Sequence, residues 1–105
     1  MFDLNARRLA LRSRILAATG IPNLYFQPPE SKKLSYPCIV YGLSQIPAQH
    51  ADNQPYRMAA KFTLTLIDRD AESVFVSCLA NMKRTHFDRW FTADNLNHWV
   101  YTTYE

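Results

Sequence analysis

Residues 56–67, YRMAAKFTLTLI, constrain the fold more than any other stretch of the chain. Tyr56, Met58, Ala60, Phe62, Leu64 and Leu66 fall on one face of an extended strand. Arg57, Lys61, Thr63 and Thr65 fall on the other, with Ala59 and Ile67. This two-residue period fits a strand and no helix. It predicts a long antiparallel strand over 56–67 with one dry face and one threonine-rich face that is partly wet. A dry face needs a covering layer, which the remaining sequence has to supply as helices.

Two segments do so. A helix is predicted over 4–18, with Asp3 as N-cap and Gly20 at the left-handed position past its end. Leu4, Leu11, Ile15 and Ala18 form its apolar stripe, widened by Leu9 and Leu16, and the arginines take the other side. Pro22 blocks continuation. Asp70 is read as the N-cap of a second helix over 71–82, whose stripe is Val74, Phe75, Cys78, Leu79 and Met82. Residues 23–27 read as a short strand, 28–33 as a loop, and 36–46 as a strand with Pro37 near its start. The segment 47–55, PAQHADNQP, has no periodicity and reads as a long loop. Strands at 84–92 and 96–104 flank Ala93-Asp94-Asn95, residues suited to a tight turn, so 84–104 is a predicted hairpin. The expected fold is α+β. It is one domain over 1–105, a mostly antiparallel four- to five-stranded sheet with the N-terminal helix and a second helix packed on one face. At 105 residues the chain buries little more than one such sheet, and oligomer formation would help it.

Charge and cysteine content narrow the chemistry. The net charge is +3, and Arg7, Arg8, Arg12 and Arg14 face only Asp3 in the first fourteen residues. A basic helix face suits nucleic acid, a membrane surface or an acidic partner, and it equally suits plain solvation. No aromatic residue stands between these arginines, so a platform for stacking single-stranded bases is not indicated. Cys38 and Cys78 sit in apolar patterns without metal-ligand spacing and read as buried free thiols. No secretory h-region or membrane-spanning apolar run appears, which gives an expectation of synthesis and folding in a cytoplasm.

Three constellations carry candidate chemistry. Asp68 and Asp70 are two residues apart, the spacing of paired carboxylates for acid/base work or a hard cation. Architecture explains them as well: Asp70 as a helix cap and Asp68 at a strand end, with Arg69 as a ready partner. His86 and Asp88 share a strand face, and His98 lies across the hairpin in some registers, a set able to hold zinc. Surface or interface polarity accounts for them equally. Ser73 and Ser77 lack a glycine elbow, and two glycines, Gly20 and Gly42, are too few for a phosphate-cradling loop. The reading is therefore no enzyme, no cofactor and no metal. The last twenty residues are crowded with Phe87, Trp90, Phe91, Trp99, Tyr101 and Tyr104. One hairpin face packs under the helices, which leaves Trp90 and Trp99 for the other, near Arg89. Such a surface suits a protein interface.

Several strings in order carry a family resemblance. They are Tyr36-Pro37-Cys38-Ile39-Val40-Tyr41, then His50-Ala51-Asp52-Asn53 with Pro55-Tyr56, then Thr65-Leu66-Ile67-Asp68-Arg69-Asp70. Phe87-Asp88-Arg89 and Thr92-Ala93-Asp94-Asn95-Leu96-Asn97-His98 follow. Over residues 4–104 the chain resembles the small tail-terminator or tail-completion proteins of long-tailed bacteriophages. The resemblance implies an α+β subunit of a ring, typically a hexamer, at the head-proximal end of the tail tube. Such a ring stops tube growth, docks to the head–tail connector and passes DNA through its lumen without sequence-specific binding. It implies a virion protein assembled in the bacterial host cytoplasm, with no membrane partner. Contacts are then expected from the 50–55 loop (His50, Asp52, Asn53), Tyr56, and the 94–98 turn (Asp94, Asn95, His98). Asp68, Arg69, Asp88, Arg89 and Trp90 join them, with Asp88 and Arg89 in ion pairs. The arginine stripe Arg7, Arg8, Arg12 and Arg14 would face the lumen or a partner. Three other readings stay open: a head-closure, neck or minor tail subunit; a small duplex-DNA-binding module on the arginine helix; and a metal-dependent enzyme on the aspartates or histidines.

Overall fold

The computed structural model describes residues 3–46 and 59–105. The element order is α1 (Leu4–Thr19), β1 (Leu24–Phe26), β2 (Cys38–Gln45), β3 (Lys61–Asp68), α2 (Phe75–Ala80), β4 (Thr85–Ala93) and β5 (Leu96–Tyr104). The five strands form one sheet in the order β1-β2-β3-β5-β4. The sheet is mixed, which corrects the expected mostly antiparallel one. β1 runs parallel to β2, with Leu24 opposite Ile39 and Phe26 opposite Tyr41. The segment 27–37 supplies the crossover that a parallel pair requires.

α1 forms as its caps dictate. The Asp3 carboxylate accepts hydrogen bonds from the backbone N–H groups of Asn5 (3.0 Å) and Ala6 (3.3 Å). Gly20 closes the helix at φ 74°, where its N–H donates to Leu16 O at 2.8 Å. The second helix is shorter than expected, Phe75–Ala80 in place of 71–82, and its N-cap is Val74. Asp70 is not its cap, because the acids before it are spent in turns. Asp68 Oδ1 accepts from the Asp70 N–H (3.1 Å), and Asp70 Oδ1 accepts from the Glu72 N–H (2.9 Å).

β3 is the central strand. Ile39, Leu66 and Trp99 lie in one cross-strand row, and Tyr41, Leu64 and Tyr101 in the next. These residues and Phe62 join Leu11 and Ile15 of α1 and Leu79 of α2 in a single hydrophobic cluster. The alternation read over 56–67 survives in β3 as Phe62, Leu64 and Leu66, all buried; residues 56–58 lie outside the described set. On the opposite face, Pro28, Pro29 and Leu34 of the crossover line a groove with Val40, Thr63 and Thr65. Gly42 belongs there for lack of a side chain: a Cβ would stand 3.1 Å from Gln27 Cγ, and Gln27 Oε1 accepts from the Leu43 N–H.

α1 departs from its expected faces. Leu11 and Ile15 are buried, but Leu9 and Leu16 point to solvent and all four arginines are half-buried. Long arginine stems cover apolar surface, so they occupy the flanks of the buried stripe rather than its back.

Burial also sets the acid–base behaviour. Cys38 is fully buried, and burial first, the Asp68 charge second, pushes its thiol up to about 11 from 9.0. Burial pushes the Tyr101 phenol up to about 12 from 10.0. Both folded-state values exceed the unfolded ones. The stability they contribute is therefore complete below 9 and is lost as pH rises towards 11 and then 12. Urea midpoints are expected to hold from neutral pH to 9 and to fall above it; a flat profile through pH 11 would contradict this. The two thiols are not alike, since Cys78 is only half-buried.

Candidate functional site

Among the described elements the least covered strand is β4. It is an edge strand, and eight of its nine residues are exposed. Its formation follows from the Asp94-Asn95 turn, where both residues take positive φ (53° and 63°), as a two-residue hairpin requires. The register sets Phe91 opposite His98, Trp90 opposite Trp99 and Phe87 opposite Tyr101, with one extra residue, Asp88, between Phe87 and Arg89. Trp90 and Trp99 therefore share the helix-covered side, which corrects the expectation that both lie on the other face. Trp99 is a core residue. Trp90 stays 53% exposed and Phe87 49%, because the helices leave most of β4 uncovered.

The two faces of β4 are chemically distinct. On the helix side, Phe87 packs edge-on to Tyr101 at 5.5 Å. On the other side Phe91 stacks on His98 (4.7 Å between centroids, 10° between planes), with the Arg89 guanidinium 5.9 Å from the Phe91 ring. One row further, Asp88 accepts a hydrogen bond from Thr102 Oγ1 and lies 3.3 Å from His86 Nε2. His86 stands opposite Thr102 and His98 opposite Phe91, so the candidate set His86, Asp88 and His98 does not converge. Among the described residues no three His, Cys, Asp or Glu side chains are placed to hold a metal ion.

The remaining candidates scatter. Arg69 lies 5.8 Å from the Tyr36 ring, and no described ion pair joins it to Asp68 or Asp70. The four arginines split into two flanks instead of forming one basic face. Arg14 donates to Glu105 Oε1 (2.6 Å), Lys83 O (2.8 Å), Tyr104 O (2.9 Å) and Thr103 Oγ1 (3.2 Å). Arg7 donates to Glu105 O at 2.7 Å. On the other flank Arg8 lies over Phe26, and Arg12 Nη1 has no hydrogen-bond partner among the described residues. The clamp on Glu105 escaped sequence reasoning. Its only local sign is that Arg7 and Arg14 are two helical turns apart and so share a flank. His50, Asp52, Asn53 and Tyr56 lie outside the described residues. No described helix is long and apolar enough to cross a membrane. Comparison with family models, with curated proteins and with solved structures gives no match.

Proposed function

We propose that this chain is a structural subunit of a long-tailed bacteriophage, a ring-forming tail-terminator or tail-completion protein. Six copies close around the DNA channel at the head-proximal end of the tail, end tube growth and offer a surface to the head–tail connector. The sequence resemblance supplies the phage setting. The observation that carries the assembly role is β4, a nine-residue strand whose outer edge is unpaired among the described residues, with exposed Phe87, Trp90 and Phe91 and the charged pair Asp88 and Arg89. Such an edge is a template for another chain, and exposed aromatics beside an arginine are what interfaces bury.

Ring contacts between identical subunits are heterologous, so the β4 side of one copy meets a different surface of the next. The Asp94–His98 turn stands at the end of the same hairpin and extends the contact. Particles assembled with Arg89→Glu are expected to carry tails of abnormal length or tails without heads, while the isolated subunit keeps its melting temperature. Normal tails and full infectivity from that variant would overturn the proposal.

A further inference from the structure

The extra residue in β4 has a geometric effect on what the edge can pair with. Thr85, Phe87, Trp90 and Thr92 lie on the helix side, and His86, Asp88, Arg89 and Phe91 on the other. Read from either end, the order of faces is the same, and its centre is the Asp88–Arg89 step. A strand of strict alternation cannot pair antiparallel with its own copy about such a centre, since every residue would meet one of the opposite face. The bulge at Asp88 removes that bar. The backbone follows the same symmetry. The Tyr104 N–H bonds Arg84 O across the hairpin, so alternation turns the backbone groups of Thr85 and Phe87 outward. Counted from the two-residue turn, those of Thr92 and Trp90 also point outward.

We infer that β4 is a self-pairing edge: two copies of this chain join their β4 strands antiparallel about a two-fold axis at the Asp88–Arg89 step. Phe87 then faces Trp90 of the second copy, His86 faces its Phe91 and Thr85 faces its Thr92. At the centre each Asp88 faces the other copy's Arg89, so the charges complement each other twice. Aromatic and opposite-charge pairs are the stabilising kinds across antiparallel strands. The contact is isologous and closes on two copies; it occupies the edge that the ring contact uses, so it belongs to the free chain in solution and gives way when a ring closes, and it holds whether or not the phage reading does.

The test is analytical ultracentrifugation of the purified full chain over a dilution series. The wild type is expected to show a monomer–dimer equilibrium. Arg89→Asp and Asp88→Arg each set like charges against each other at both central pairs and raise the dimer dissociation constant by about tenfold or more. Mixed in equal amounts, the two variants regain both opposite-charge pairs and form a heterodimer with a constant near the wild-type one. Asp88 also serves Thr102, so a second arm does not touch it. In a Cys78→Ser background, Phe87→Cys and Trp90→Cys copies cross-link to each other under mild oxidation faster than either does to itself. A wild-type monomer at every concentration would assign the bulge to guarding the edge and overturn the inference. So would a dimer that Arg89→Asp leaves intact, a charge-swapped mixture that stays monomeric, or no preference for the mixed cross-link.

Discussion

Arg14→Ala is expected to lower the unfolding free energy by about 3 kcal/mol. The side chain is only 21% exposed and its carboxylate partner Glu105 only 15%. Its guanidinium serves four acceptors on two segments: Thr103, Tyr104 and Glu105 at the end of β5, and the carbonyl of Lys83 before β4. Alanine removes the Arg14 bond to the Tyr104 carbonyl and leaves a half-buried carboxylate without its close partner, while Lys83 O keeps the Thr85 hydroxyl at 3.0 Å. The nearest remaining cation, Arg84, is 3.8 Å from Glu105 Oε1 and largely exposed. Exposed pairs contribute little, so Arg84 does not replace Arg14. A lysine is expected to recover less than half of the loss, because one ammonium cannot span acceptors set around a planar fork. Urea unfolding of the three proteins checks this. A loss below about 0.5 kcal/mol, typical of a surface substitution, would refute the clamp.

Phe62→Ala is expected to cost about 4 kcal/mol. Phe62 is fully buried in β3, opposite Leu43 on one side and Thr103 on the other. Removing the ring leaves a cavity between strands that are hydrogen-bonded on both edges and cannot collapse into it. Thr63→Ala, one residue on, half-buried and facing the crossover loop, is expected to change stability by roughly 0.5 kcal/mol. Denaturant titration of both separates the two faces of the strand; equal losses would mean that β3 is not packed on one side as described.

What the sequence makes legible is what local chemistry decides. Asp3 and Gly20 bracket α1 because caps act within one turn. The 85–104 hairpin is readable because Asp94 and Asn95 tolerate positive φ. The alternation of Phe62, Leu64 and Leu66 is readable because a strand's period does not depend on its neighbours. The misreadings are non-local, except at Asp70, where one local hydrogen bond displaces another. The parallel pairing of β1 depends on where an eleven-residue crossover returns, which the 27–37 sequence does not encode. Asp70 looks like a cap, but Asp68 and Asp70 each close a turn first, and α2 starts five residues later. The arginines of α1 look solvated because charge pattern says nothing of reach; their heads travel to Glu105 and Phe26. The bulge at Asp88 has no signature in composition, yet it decides which side Phe87 takes. The candidate surface was therefore half legible. Asp88, Arg89 and Trp90 were named from residue type, while Phe87 joins them only through register.

If this chain completes a phage tail by assembling as a ring, as proposed, cryo-electron microscopy of a particle built with it will show a closed ring of its copies between tail tube and head connector, with β4 and the Asp94–His98 turn in subunit contacts. Density for the chain at another station, or a ring in which β4 stays solvent-exposed around the whole circumference, would contradict that proposal.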